Sequence, residues 1–201
     1  MEITKLVLAM LLSLPSAYVD RDEVGRLQRM HTIASAVAHA TARATCTGSY
    51  GDDKCDPIWL DSRTNLAALV VTKGWWESRF ARNVHEGKCR PDQCDPVKTA
   101  HGVFHRARSP WQIQRTGYSE PFWAHMVGTG FKPTRNAAWV AATIISEGKR
   151  RCRSDYGALA WYGVQRCQWS GAKGRYTTYK KLVREAESRE AAKMSALSHA
   201  P

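Results

Sequence analysis

The sequence predicts a mainly α fold, and three observations carry that prediction. Apolar residues recur at helical spacing in successive segments, which Gly, Asp and Pro separate. One segment, from Asn136 to Glu147, is apolar on nearly every side, the pattern of a helix buried all round. Ser, Thr and Asp stand where several of these helices would begin.

The first element is Ile3, Leu6, Val7, Met10, Leu11 and Leu14, an apolar stripe at helical spacing. Lys5 before this run and Ser16-Ala17 after it also outline a weak signal peptide. Glu2 spoils a positive start, however, and Pro15 suits a cut at Ala17 poorly, so a packed helix is the expectation. The apolar run is too short for a bilayer span, which needs about 20 residues. A turn with Asp caps follows at Tyr18-Val19-Asp20-Arg21-Asp22, and then a second stripe at Leu27, Met30, Ala34, Val37, Ala38 and Thr41. The segment from Cys46 to Asp61 is rich in Gly, Asp and Pro and reads as a loop.

A third helix is predicted from about Asn65 to Asn83, with N-cap oxygens offered by Asp61, Ser62 and Thr64. His85 to Ser109 is polar and contains Gly87, Pro91, Pro96 and Gly102, so it reads as a loop or small hairpin. Phe122, Trp123 and Met126 fit a short helix. Asn136–Glu147 is taken as the central helix, with Gly148 at its C′ position. Ser154 can cap a further short helix through Tyr162. Ser170 can cap the last, on which Tyr176, Tyr179, Val183 and Ala186 form a stripe. Trp123 and Trp139 are expected to pack in the core. The divisions are an N-terminal helical segment and loop (1–60), a main domain (61–188) and a fraying tail (189–201).

The 201 residues carry a formal net charge of +12, which suits an anionic partner such as nucleic acid or a bacterial envelope. The basic residues are scattered, with only Lys149-Arg150-Arg151 and Lys180-Lys181 as short runs, and no finger, homeodomain or RNP pattern is present. Nucleic acid is therefore not the expected partner. The six cysteines fall in three close pairs, Cys46/Cys55, Cys89/Cys94 and Cys152/Cys167. Local disulfides are the simplest of the fifteen possible connectivities. A zinc site of His85, Cys89 and Cys94 is the rival, but the chain has no CxxC pair and no finger-like spacing. Disulfides place the protein outside a reducing cytosol. Neither a metal nor a cofactor is expected.

Chemistry concentrates at Trp75-Trp76-Glu77-Ser78-Arg79-Phe80. Val70 and Leu66 stand seven and eleven residues before Glu77, on the same helical stripe. Glu77 should thus point inward, beside tryptophan. Burial favours the neutral form of a carboxyl group, and a neutral acid can deliver a proton. The plainer alternative is a Glu paired with Arg79 or Arg82.

Two more segments complete a set: Ser109-Pro110-Trp111-Gln112-Ile113-Gln114 and Ala158-Leu159-Ala160-Trp161-Tyr162-Gly163. In this order the three resemble the signature segments of the lysozyme-like lytic transglycosylases of the soluble-lytic-transglycosylase type. Glu77-Ser78 matches the first, Gln112 the glutamine of the second, and Tyr162 the tyrosine of the third. The resemblance covers about residues 64 to 180. Ser109-Pro110-Trp111 departs from the usual Gly-Leu-Met, and Gly163 stands where Asn is common.

The resemblance implies a lysozyme-like fold with an N-terminal helical extension. It implies cleavage of the β-1,4 bond between MurNAc and GlcNAc in peptidoglycan, with Glu77 as catalytic acid and base. Ser78 would orient Glu77. Gln112, Gln114 and Tyr162 would bind substrate polar groups, and Trp111 and Trp161 would offer faces for sugar rings. A hydrolase usually adds a second carboxylate, for which Asp92, Asp95, Glu86 and Glu147 are candidates. A lytic transglycosylase needs none, because the substrate's N-acetyl group assists and its 6-hydroxyl closes an anhydro ring; the single-acid mechanism is favoured. A secreted enzyme, a phage lysin or a virion-borne enzyme fits, the N-terminal helices either packing on the catalytic domain or meeting a virion partner. The alternatives are a module that binds glycan without cutting it and, on charge alone, a basic nucleic-acid-binding protein.

Overall fold

The computed structural model describes residues 3–15, 23–46, 63–90, 92–99 and 102–198. The expected turn at 18–22, the caps at Asp61 and Ser62, and Cys55 lie outside the described residues. The chain is mainly helical. The helices among the described residues are α1 (Ile3–Ser13), α2 (Glu23–Cys46), α3 (Arg63–Ser78), α4 (Arg82–His85), α5 (Phe131–Cys152), α6 (Asp155–Val164) and α7 (Ala172–Ser198). Between α4 and α5 lie two small hairpins and a 3-10 turn at Glu120–His125. None of the helices described is long and apolar enough to cross a membrane.

Leu6, Val7, Met10 and Leu11 of α1 are buried against α2 and α3. α2 turns Ile33, Ala34, Val37 and Ala40 inward and packs along α5, which presents Ala137, Ala138, Ala141 and Ala142. Small side chains on both helices let their axes approach. One continuous apolar cluster joins α1 and α2 to α3, α5, α6 and α7. The first two helices therefore share the main core.

The most enclosed stretch is in α3, where every residue from Leu66 to Gly74 is buried. α5 was expected to hold that place, yet its Trp139 and Ile144 are only partly buried. α3 also stops earlier than predicted. Arg79 and Phe80 take positive φ of 54° and 53°, a left-handed conformation that ends a helix. The Ser78 hydroxyl accepts from the Phe80 N–H at 3.1 Å and closes the end.

The polar stretch forms two antiparallel hairpins. In the first, β1 (Pro96–Thr99) pairs with β2 (Gly102–His105); in the second, β3 (Ala107–Arg108) pairs with β4 (Ile113–Gln114). The turn of the second is Ser109–Gln112, closed by Gln112 N–H to Ser109 O at 3.0 Å. The Cys89–Cys94 disulfide ties the chain just before β1. Beneath it, Ala81, Val84, Cys94 and Ala107 form a small satellite core.

Gly148 lies within α5 and not at its C′ position, because α5 continues to Cys152 and ends at Arg153 with φ 54°. Its lack of a side chain serves packing. A Cβ there would sit 2.8 Å from the Trp161 Cβ and 3.1 Å from the Ala158 Cα of α6. Ser154 caps α6 as predicted, its hydroxyl accepting from the Gly157 N–H at 3.0 Å. The Cys152–Cys167 disulfide brackets α6. α7 is helical through Ser198, beyond the Arg189 at which fraying was expected.

Candidate active site

Glu77 ends α3, and three other elements converge on it. α7 supplies Arg175, α6 supplies Tyr162, and the second hairpin supplies Gln112 and Gln114. A cleft of about 690 Å³ opens on one side of Glu77, walled also by Lys73, Tyr118, Arg151, Trp161 and Trp169. On the other side a recess of about 460 Å³ is walled by Ser78, Asp92, Cys94, Asp95 and Pro96. Glu77, Gln112 and Gln114 line both, so the two recesses adjoin at these three residues.

The setting of Glu77 is ionic, not apolar as expected. Lys73 Nζ lies 2.5 Å from Glu77 Oε1, and Arg175 Nη2 lies 3.2 Å from the same oxygen. The partners foreseen as an alternative, Arg79 and Arg82, are used elsewhere. Arg79 lies over the Trp75 ring at 3.5 Å, and Arg82 bonds Glu86 at 2.7 Å. Among the described residues, Glu77 Oε2 has no hydrogen-bond donor. One oxygen is therefore held and the other is available to a ligand.

Arg175 is itself fixed. Its guanidinium lies 4.7 Å from the Trp169 ring and 5.3 Å from the Trp76 ring, a cation–π arrangement. Its Nη1 donates to Gly171 O at 2.7 Å. Trp76 is fixed in turn by Nε1–H to Thr178 Oγ1 at 3.0 Å. Trp76 therefore bears on Glu77 only through Arg175: the ring holds the arginine that holds the carboxylate.

Lys73 is 1% exposed, and its Nζ lies 4.4 Å from the centre of the Tyr162 ring. Burial pulls its ammonium below the usual lysine range, against the opposing pull of Glu77. The Tyr162 hydroxyl moves the other way, raised by burial and then by the Glu77 charge. It therefore stays a neutral donor, and it gives its proton to Trp111 O at 2.9 Å.

Trp111 is fully buried; its Nε1–H donates to Val70 O at 2.9 Å, and its ring meets Phe80 edge to face. It is a core residue and offers no face to a sugar. It reaches the site only through its carbonyl, which anchors Tyr162. Ser78 does not orient Glu77, because its hydroxyl bonds Gly74 O and the Phe80 N–H. Trp161 does line the cleft, with the Arg151 guanidinium 4.9 Å from its ring.

Gln112 sits at φ 50° and donates to Ser109 O at 3.1 Å, which fixes its side chain at the junction. Gln114 donates to Asp95 Oδ2 at 2.8 Å. Of the second-carboxylate candidates, Asp92 and Asp95 line the smaller recess with Glu77. Asp95 is also paired with Arg106 at 3.1 Å. Glu86 is occupied by Arg82 and Lys88, and their hydrogen bonds hold its carboxyl below the usual range. Glu147 pairs with Arg150 and Arg151. Burial raises its carboxyl, but those two arginines bring it below the usual range.

The zinc alternative fails on its own ligands. Cys89 and Cys94 are bonded to each other, and His85 Nε2 is 2.7 Å from Thr134 Oγ1. Among the described residues no cluster of three His, Cys, Asp or Glu could hold a metal ion. Cys152 pairs with Cys167 as expected, whereas the Cys46 side chain, like Cys55, lies outside the described residues.

Sequence reasoning missed Lys73, Arg175 and Trp169. Lys73 had a readable signal, because it stands four residues before Glu77 and so on the same helix face. Arg175, 98 residues away in sequence, had none. Comparison with family models, with curated proteins and with solved structures finds no match to this chain.

Proposed function

We propose that the protein cleaves the glycan strands of peptidoglycan at the β-1,4 bond between MurNAc and GlcNAc, with Glu77 as general acid and then base. The observation that carries this reading is the place of the Glu77 carboxylate. Glu77 lines two adjoining recesses, with its Oε1 held by two cations and no donor on Oε2 among the described residues. A polymer laid along both recesses crosses Glu77 with sugars on both sides. Gln112 and Gln114 present amides at the crossing point, suited to N-acetyl and hydroxyl groups, and Trp161 offers a ring on one wall.

In this reading Glu77 protonates the oxygen that leaves, the bond to the anomeric carbon breaks, and the substrate's N-acetyl oxygen shields the developing positive charge. Glu77, now ionised, takes the proton of the incoming hydroxyl. That hydroxyl belongs to the sugar itself in a lytic transglycosylase, and to water in a hydrolase. The net charge of +12 draws the protein to an anionic wall, an attraction that salt weakens. The two disulfides suit work outside the cytoplasm, as a secreted or virion-borne enzyme.

The test is digestion of purified peptidoglycan by the wild type and Glu77→Gln, with mass spectrometry of the released fragments. Anhydro-muramic ends from wild type alone are the expected result. Reducing ends would transfer the reaction to a hydrolase and point to Asp92 or Asp95, which line the smaller recess with Glu77, as its second carboxylate. A second reading, glycan binding without cleavage, draws on the Lys73 and Arg175 pairing of Glu77, which also suits a purely structural carboxylate. It predicts that neither protein releases fragments and that both bind the wall.

A further inference from the structure

A carboxylate held by two cations is a poor proton donor until something supplies the proton, and the two cations differ in what they can give. Arg175 cannot release one, since a guanidinium is not deprotonated in proteins. Lys73 can. An ammonium group carries three N–H donors, and among the described residues Lys73 Nζ has one hydrogen-bond acceptor, Glu77 Oε1 at 2.5 Å. It also faces the ring of Tyr162 and the charge of Arg175, and it forms part of the cleft wall. An ammonium so poorly satisfied in the interior is costly. It stands in hydrogen-bond contact with the one group that the proposed reaction needs in protonated form.

We propose that Lys73 is the proton reservoir of Glu77, a positioning residue that acts through the acid. This rests on the glycosidase reading above. In the empty groove the pair is Lys73–NH3+ and Glu77–COO−, stabilised by water entering beside a carboxylate that is 22% exposed. When a glycan fills both recesses and expels that water, the ion pair loses its solvation, and the neutral pair becomes the favoured form. The proton crosses from Nζ to the carboxyl group. Rotation about the terminal bond of Glu77, which is soft for a carboxyl, turns the proton toward the cleft.

The proton balance then closes. Glu77–COOH gives its proton to the leaving oxygen as the glycosidic bond breaks, and the bonding pair stays on that oxygen. Glu77–COO− next takes the proton of the hydroxyl that attacks the anomeric carbon. Glu77 is again neutral beside a neutral Lys73 amine. When product leaves and water returns, the proton goes back to Nζ. No proton is gained or lost over the cycle, and no co-reactant is needed.

The groups facing this pair come from three further helices. Arg175 of α7 keeps its charge throughout. Tyr162 of α6 stays neutral, its hydroxyl raised by burial. Arg151 of α5 lines the same cleft and is paired with Glu147. Lys73 itself is already shifted toward release by burial. With Lys73 removed the internal donor is lost, the proton for the leaving oxygen has to come from solvent, and activity is expected to require a lower pH.

The experiment is a pH profile of peptidoglycan solubilisation for wild type, Lys73→Met and Lys73→Arg, each checked for folding by its thermal melt. Both variants are expected to lose at least about tenfold in rate at pH 7, or 1.4 kcal/mol in barrier. Both should recover toward acid pH, with the optimum moved down by about a unit or more. Lys73→Arg keeps the charge but cannot release a proton, so its melt should recover while its profile stays shifted. A purely structural ion pair predicts the opposite, with Lys73→Arg restoring both melt and profile, and that result would overturn the proposal. A profile unchanged in Lys73→Met would overturn it equally.

Should neither variant fold, carboxyl carbon NMR of the wild type decides, with the N-acetylglucosamine tetramer as probe at saturation. Protonation of Glu77 on binding is expected, and a carboxylate that stays ionised would overturn the proposal. Glu77→Gln separates the two levels. If that variant still cuts the wall, the glycosidase reading itself falls. If it is inactive while the Lys73 variants follow the wild-type profile, only the reservoir falls.

Discussion

Acidification from pH 7.5 to 5 should cost this fold about 2 kcal/mol through a single side chain, His85. The residue ends the short helix α4 and is fully buried. Its Nε2 contacts Thr134 Oγ1 of α5 at 2.7 Å, while Nδ1 has no hydrogen-bond partner among the described residues. Burial first, and then the positive charge of Arg29, push its pKa from 6.5 down to about 4. A histidine depressed in this way contributes stability that is complete above the unfolded value near 6.5. That stability is lost as the pH falls toward 4, because only the unfolded chain takes up the proton. At pH 5 the unfolded imidazole is almost fully charged and the folded one almost fully neutral. The difference is roughly 1.5 pH units, or about 2 kcal/mol at 1.36 kcal/mol per unit. Urea melts of the wild type and His85→Gln at both pH values measure it. Glu86 and Glu147, whose carboxyls are held low by their arginines, lose stability in acid in both proteins, so subtraction removes them. The wild type should lose about 2 kcal/mol more than the variant over this range. Equal losses would refute the reasoning and place the imidazole in contact with water.

Two further predictions concern packing and cross-links. Gly74→Ala should destabilise the protein by about 1–3 kcal/mol, although alanine favours a helix by roughly 1 kcal/mol over glycine. The new Cβ would lie 2.4 Å from Phe80 Cε1 and 2.9 Å from Trp111 Nε1, so it disturbs the edge-to-face pair and the bond to Val70 O; a chemical melt at or above the wild-type midpoint would contradict this. Replacing Cys152 and Cys167 together by Ala opens a loop with a sequence separation of 15, for which the chain-entropy account gives about 3 kcal/mol. A calorimetric Tm lower by roughly 6–12 °C is expected from that figure, and an unchanged Tm would show that the bond does not restrain the unfolded chain.

The helices were legible where burial writes a period into the sequence. The α1 stripe needs only Leu6, Val7, Met10 and Leu11 to face one way, and Ser154 marks the start of α6 by the cap it makes. The end of α3 was not legible. Nothing in Arg79-Phe80 announces a left-handed turn, since neither residue is glycine or asparagine, and the fold imposes it. Gly148 misled for a related reason. Its signal, a missing side chain, is the same whether the helix ends there or a neighbour comes close, and only the presence of Ala158 and Trp161 tells which. Trp111 misled because composition cannot separate a ring kept for a ligand from one that fills a core.

The helix stripe predicted Glu77 in apolar surroundings, and in the structure its carboxylate meets two cations. The stripe through Leu66 and Val70 was read as apolar, and it contains Lys73. A lysine on a face otherwise enclosed by leucine, valine and alanine can stay charged only beside an anion. The sole acidic residue on that helix is Glu77, one turn later. The pair was therefore written in the sequence by exclusion, even though each member alone reads as an exception to its own stripe. Arg175 is different: it arrives from α7 through tertiary packing, steered by Trp76 and Trp169, and no local pattern encodes it. The distinction bears on chemistry. The partner written into the same helix is the cation that can give up a proton, and its distance to the acid is fixed by one turn of backbone. The partner that depends on packing is the cation that cannot. Variation in how α7 sits would alter how firmly the carboxylate is held, while the proton route from Lys73 to Glu77 would stay intact as long as α3 is a helix.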